Sequence, residues 1–132
     1  AARAFLDADD PLRGELECLQ RQLFDAGSDA AELEHSHPRI AEGQVRSLTE
    51  WGQRLEREQD LPSGFILPGT TRAGALLDVA RTTVRRCERR AVALAEAGDD
   101  KPFLRQWLNR LSDILWLLAR RTEGRSQPLR DG

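Results

Sequence analysis

Residues able to do chemistry concentrate in the stretch TRAGALLDVARTTVRRCERRAVALAEA, Thr71 to Ala97. Arg81, Arg85 and Glu88 recur there at spacings of four and three, one stripe of a helix. Arg85 and Arg89 are four apart, as are Arg86 and Arg90. Like charges at that spacing destabilise a helix by roughly 0.2–0.5 kcal/mol per pair. Such a helix has either a solvated basic face or an anion or carboxylate that answers it. Arginine suits phosphate because its planar fork donates two bonds at once. A glutamate among arginines holds them in place or accepts from a sugar hydroxyl. Downstream, Asn109-Arg110-Leu111-Ser112-Asp113 puts an amide and a carboxylate in mid-helix, although both are middling-to-poor helix formers. A helical wheel gathers Arg105, Asn109, Ser112, Asp113 and Trp116 on one side. That side either makes polar contact with a neighbouring helix, such as Asp113 with an arginine, or completes a phosphate site begun by the arginine stripe. Phe65-Ile66-Leu67 lies between Gly64 and Pro68 and is too short for a helix. Phe65 therefore either packs on the end of the fold or presents an aromatic face to a ligand. His35-Ser36-His37-Pro38 contains an HxH pair, but no cysteine or carboxylate cluster at ligand spacing supports a metal there, so it reads as a surface loop.

The elements that must position these residues follow from apolar spacing. Ala73, Leu77, Ala80, Val84, Cys87, Ala91 and Leu94 alternate by four and three, the stripe of a helix packed along its length in a bundle. The chain reads as organised around this helix, with Thr70 or Thr71 as its cap. Ala1 to Ala8 reads as a helix tail of good helix formers. Asp10 caps a second helix that Pro11 opens, with Leu12, Leu16, Leu19 and Leu23 as its stripe and an end near Gly27. A loop follows from Ala30 to Ile40. A third helix runs from Ala41 to about Gln59 on Val45, Leu48, Gly52 and Leu55, with Trp51 beside them and Pro62 closing it. Gly98-Asp99-Asp100 breaks the central helix, and Asp99 or Asp100 caps the last one, about Lys101 to Arg121, with Pro102 in its first turn. Its stripe is Leu104, Leu108, Leu111, Leu115 and Leu118. Gly124 to Gly132 reads as a frayed tail. The expected fold is all-α, an antiparallel up-and-down helical bundle without a sheet, forming a single domain over residues 1–132.

At 132 residues the chain is long enough for one core. Its net charge of −2 creates no global field to recruit nucleic acid or an anionic membrane, so neither is expected as a partner. Lys101 is the only lysine, an arginine bias that reads as compositional rather than functional. No apolar run reaches the length of a membrane span. Cys18 and Cys87 sit in helical patterns and read as reduced core thiols of a cytoplasmic protein. Methionine is absent even at position 1, so the chain reads as a processed or partial protein. A di-iron bundle lacks support because no Glu-x-x-His pair is present.

Three motifs occur in a fixed order: Phe65-Ile66-Leu67-Pro68-Gly69, then Ala80-Arg81 with Arg85-Arg86-Cys87-Glu88-Arg89, then Asn109-Arg110-Leu111-Ser112-Asp113. This resembles the PduO-type ATP:cob(I)alamin adenosyltransferases, whose FILPGG loop, AR…RRAER helix and NRLSD helix come in the same order at similar spacing. The resemblance spans nearly the whole chain and implies a five-helix bundle, the first helix only partly present here. It implies transfer of the 5′-deoxyadenosyl group of ATP to the cobalt of cob(I)alamin, with release of triphosphate. Cobalt would supply the hard chemistry, and the protein would position and preorganise. By resemblance, Arg85, Arg86, Glu88, Arg89 and Asn109 contact ATP and its Mg2+. Arg81 would hold an aspartate of the adjoining subunit in a homotrimer. Phe65 would press on the lower face of the corrinoid, favouring a four-coordinate cobalt(II) that is easier to reduce. A cobalamin reductase and an adenosylcobalamin-dependent mutase are the implied partners.

Two departures qualify the carry-over. Thr70 stands where the family has the second glycine of its loop, which implies a change in the turn before the central helix. The family's TRxGDxGxTSL phosphate loop, its lysine and its DELN segment have no counterpart in these residues, and Asp10 and Asp29 have the wrong context to replace them. The expectation is half an ATP site, with the other half preceding Ala1 or catalysis lost. The alternative function is a non-catalytic helical-bundle module that binds a corrinoid or a protein partner.

Overall fold

A computed structural model of the chain describes residues 1–31, 38–124 and 127–128. The His35/His37 pair and most of the C-terminal tail lie outside the described residues. A single 3-10 turn, Ala2–Phe5, precedes α1 (Pro11–Ala31), α2 (Glu42–Arg57), β1 (Ile66–Leu67), α3 (Arg72–Glu96), α4 (Pro102–Glu123) and β2 (Gln127–Pro128). The all-α reading holds. The one addition among the described residues is a two-residue antiparallel ladder, with Ile66 opposite Pro128 and Leu67 opposite Gln127.

The expected centre of organisation shifts from α3 to α4. All five residues of the α4 stripe are buried, and so are Trp107, Ile114, Leu117 and Ala119 between them. So wide an apolar face must be covered by several neighbours. Accordingly α1, α2 and α3 all pack on α4, and among the described residues the backbones of α1 and α2, and of α1 and α3, do not approach closely. Cross-helix contacts give the directions. Gly74 approaches Ala119, and Glu88 bonds Asn109, so α3 and α4 are antiparallel. Gln22 accepts from Trp107 and the Ala30 carbonyl accepts from Lys101, so α1 also opposes α4. Thr49 meets Arg110 and Gln59 meets the Leu117 carbonyl, so α2 runs parallel to α4. The helices alternate up and down along the chain, with α4 inside.

Local chemistry sets the ends. The Asp10 carboxylate accepts from the Leu12 N–H at 2.9 Å, as a capping residue should. Asp29, buried at the last turn of α1, accepts the N–H groups of Arg39 at 3.0 Å and Ile40 at 2.7 Å. Helix α1 continues through Gly27, four residues beyond the expected end. Thr71 caps α3, its hydroxyl accepting from the Gly74 N–H at 3.0 Å. Neither Asp99 nor Asp100 caps α4. Lys101 occupies that position without a side-chain bond, while Asp100 pairs with Arg105 and Asp99 with Lys101, each at 3.3 Å.

Both cysteines are exposed, which corrects the core-thiol reading. Cys18 lies off the Leu12–Leu16–Leu19 stripe. Cys87 lies where the α3 stripe loses its cover: Ala73, Leu77 and Val84 are buried, but Leu94 is 48% exposed. Leu23 of α1 is likewise 44% exposed, across an apolar groove from Leu94.

Leu118 is wholly enclosed, so Leu118→Ala should cost about 2–5 kcal/mol of stability. Leu23→Ala should cost well under half of that, and urea unfolding of the two variants checks the contrast.

Candidate functional site

The connection from α2 to α3 carries Phe65, Ile66, Pro68 and Gly69 along the rim of a cleft of about 600 Å³. Its walls are the first turns of α3, through Asp78 and Arg81, and the last turns of α4, through Trp116 and Arg120. Phe65 is 86% exposed. Of the two readings of this residue, core packing is therefore excluded. Gly69 has φ of +93°, where glycine is favoured, and no described non-glycine residue has positive φ. Thr70 thus follows the turn in ordinary backbone geometry, and threonine in place of a second glycine strains nothing.

The cleft floor is held by charge. Arg120, 4% exposed, donates to Asp78 at 2.6 Å, and its Nε stands 3.1 Å from a Glu123 oxygen without the alignment of a hydrogen bond. The same guanidinium lies 5.3 Å from the centre of the Trp116 ring, a cation–π contact. The other Glu123 oxygen accepts from the Gly69 N–H at 3.2 Å. A buried guanidinium needs such partners, because unpaired charge in the interior is costly. The Nε of Arg81 is buried beside the cleft and has no hydrogen-bond partner.

One to two turns further along α3, Glu88 accepts from the Asn109 amide at 3.0 Å. The Asn109 oxygen accepts from Arg110 at 2.9 Å, and Arg110 donates onward to Thr49 at 3.1 Å. This polar line ties α3, α4 and α2 together. Arg81, Arg85 and Glu88 share the face of α3 that leads from the cleft to it. Arg89 lies within about 40° of Arg85 on the wheel, whereas Arg86 lies about 100° away and off that face. Arg85, Arg86 and Arg89 are exposed and make no hydrogen bond or ion pair among the described residues. Asp113 is exposed and does not make the expected arginine contact. The structure therefore assembles Arg81, Arg85, Glu88, Arg89 and Asn109 on one side and leaves Arg86 apart. Phe65 stands at the cleft at the Arg81 end.

Three residues of this region escaped the sequence reading: Asp78, Arg120 and Glu123. The signal was present for two. Asp78 extends the Arg81/Arg85/Glu88 stripe by one step of three, and Arg120 follows Trp116 by four. Elsewhere, the hydrogen bond from Arg21 and its positive charge hold the Glu17 carboxyl below its ordinary value. That pair sits on the exposed face of α1, away from the cleft. Among the described residues no group of three or more metal-ligating side chains occurs, and no helix is long and apolar enough to cross a membrane.

The family model for cobalamin adenosyltransferases matches residues 1–122, and the chain belongs to that family. The corrinoid adenosyltransferase of Mycobacterium leprae is 36% identical over 129 residues, covering 90% of this chain and 68% of its own length. That of Bacillus subtilis is 37% identical over 116 residues, covering 87% of this chain and 60% of its own. The chain thus spans about two thirds of the length of these curated relatives. A PduO-type ATP:corrinoid adenosyltransferase from Lactobacillus reuteri has been solved as an arginine-to-lysine variant complexed with ATP; it superposes with a TM-score of 0.87 at 28% identity, over 98% of this chain and 77% of that one. A phenylalanine-to-histidine variant of the PduO-type enzyme from that organism, complexed with cobalamin and ATP, superposes at 0.85 with 29% identity, over 98% of this chain and 75% of that one.

Proposed function

We propose that the protein transfers the 5′-deoxyadenosyl group of ATP to the cobalt of cob(I)alamin, forming adenosylcobalamin and releasing triphosphate. The cobalt(I) electron pair forms the cobalt–carbon bond as the C5′–oxygen bond breaks, and the electron pair of that bond leaves with triphosphate. The observation that carries the reading is Phe65, an 86% exposed ring on the rim of a cleft whose far wall is Trp116 and Arg120. Leaving a phenylalanine in water forgoes about 1.5–3 kcal/mol of burial. A flat corrinoid face over the ring recovers that burial and keeps a lower ligand off cobalt, so that cobalt(II) is four-coordinate and easier to reduce.

Arg85 and Arg89 meet the phosphates of the ATP–Mg2+ complex in this reading, Arg86 lies off that face and is not placed to join them, and the Glu88–Asn109 pair orients donors and acceptors for the sugar. Arg81, half-buried at the cleft wall, fits a carboxylate arriving from an adjoining subunit of a homotrimer. The phenylalanine and arginine altered in the Lactobacillus variants stand as far apart along that chain as Phe65 and Arg85 do here, which supports the pairing of these two roles. The proposal extends to a cytoplasmic setting, a cobalamin reductase that supplies cobalt(I), and an adenosylcobalamin-dependent mutase that takes the product.

Phe65→Ala in the full-length protein should change stability by less than about 1 kcal/mol. Transfer starting from cobalt(II) should collapse, while transfer from pre-reduced cobalt(I) suffers less. A large melting-temperature drop with equal loss in both assays would make Phe65 structural. Arg85→Ala should weaken ATP binding roughly 10- to 150-fold, the loss of one charge-assisted bond, and calorimetry showing unchanged affinity in a folded variant refutes the assignment. Sedimentation equilibrium should return a trimer at micromolar concentration; a monomer throughout contradicts the intersubunit role of Arg81. ATP or corrinoid binding without any transfer would instead identify a non-catalytic binding module.

A further inference from the structure

With its ring 86% exposed, Phe65 is positioned chiefly by the backbone of residues 64–71. Two features fasten that backbone to the bundle: the two-residue ladder between β1 and β2, and the hydrogen bond from the Gly69 N–H to Glu123. We infer that Glu123 is a positioning residue that anchors the Phe65 loop to the end of α4, with Arg120 and Asp78 locking its carboxylate in place.

The chemistry of the anchor is specific. The Glu123 side chain is fully enclosed, although it lies in the last turn of a helix where a glutamate would ordinarily reach into water. A carboxylate opposes the local helix dipole at that end, so its place there requires compensation. Arg120 supplies the compensation from within α4, and Asp78 fixes Arg120 from α3. The free Glu123 oxygen is left aimed at Gly69, the one residue of the loop with φ in the left-handed region. Gly74 makes the approach sterically feasible. A Cβ there would stand 2.9 Å from Glu123 Cγ and 2.8 Å from the Thr71 hydroxyl that caps α3. Loop, α3 start and α4 end therefore meet at one buried carboxylate. Arg120 also faces Trp116, so the same network fixes the opposite wall of the cleft. Glu123 thus ties the Phe65 loop to the helix that carries Trp116 without itself lining the cleft.

The consequence for transfer rests on the adenosyltransferase reading, whereas the anchoring does not. Glu123→Ala and Glu123→Gln in the full-length protein test both. Amide hydrogen exchange at Gly69 should accelerate about tenfold or more in Glu123→Ala, the loss of one bond to a charged acceptor. Glu123→Gln should fall between, because its amide oxygen still accepts. Transfer from cobalt(II) should drop in the same order, with ATP affinity and transfer from cobalt(I) far less affected. Unchanged Gly69 exchange in either folded variant overturns the anchor. Equal losses in both transfer assays, in proportion to a lost folded fraction, reduce Glu123 to a stability role and also overturn it. If Glu123→Ala does not fold, the same comparisons on Glu123→Gln decide. Phe65→Ala run in parallel separates the two levels: intact transfer from cobalt(II) there defeats the role of Phe65, while Gly69 exchange still judges the anchor.

Discussion

Helix α4 buries nine apolar residues between Leu104 and Ala119, and the architecture follows from the need to cover them. Three helices have to cover it, and each offers a stripe only as wide as its own contact. Leu12, Leu16 and Leu19 serve α1, Leu48 and Leu55 serve α2, and Ala73, Leu77 and Val84 serve α3. Close approach is achieved by small residues: a Cβ on Gly52 would stand 3.3 Å from Ile114 Cδ1. Trp107, enclosed at the centre, keeps its indole N–H satisfied by Gln22 of α1 at 3.1 Å. Burial of this kind contributes about 25 cal/mol per Å² of apolar surface, and α4 collects most of it.

The polar residues of α4 that face α3 form part of the candidate site. Asn109, Trp116 and Arg120 are the residues by which the central helix reaches its α3 side, and each meets a partner placed by the α3 stripe. Asn109 meets Glu88, Arg120 meets Asp78, and Trp116 shares the cleft with Arg81. The antiparallel crossing explains why motifs distant in sequence become neighbours. Positions late in α3 face positions early in α4, and the α3 cap faces the end of α4, where the loop bearing Phe65 is also tied. Stability and site are thus built from the same pair of helices.

Legibility in the sequence tracked this division. Periodicity identified four helices and the whole α4 stripe, because those residues are all buried on one partner-rich element. It misjudged Cys87 and Leu94 for a physical reason: apolar spacing reports which face a helix could bury, and α1 does not reach α3 to cover it. Cys18 was misread because a helical setting says nothing about which face a residue occupies. The caps were legible where a side chain reaches an N–H, at Asp10 and Thr71. They were illegible at Asp99 and Asp100, whose carboxylates are taken by Lys101 and Arg105. Thr70 looked like a disturbance of the turn because a motif shows residue types, not φ; only Gly69 needs the left-handed region. The buried Arg120 and Glu123 could not be read as buried, since long charged residues in a last helical turn ordinarily face water.

An exposed aromatic ring, an arginine with an unanswered donor and a run of like-charged neighbours along α3 each lower the stability of the isolated chain. Phe65 forgoes burial, Arg81 has lost hydration at its Nε without gaining a bond, and Arg85 and Arg89 repel at helical spacing. These costs fall along one continuous surface, from the cleft rim to the Asn109 line. Away from that surface buried charge is answered directly, as where the N–H groups of Arg39 and Ile40 meet Asp29. Exposed apolar area and unpaired positive charge thus gather along one surface of the candidate site. The two halves of that surface also divide the labour. The arginine half carries charge, and the Phe65–Trp116 half offers apolar area, on residues drawn from α3, α4 and the connection that precedes α3.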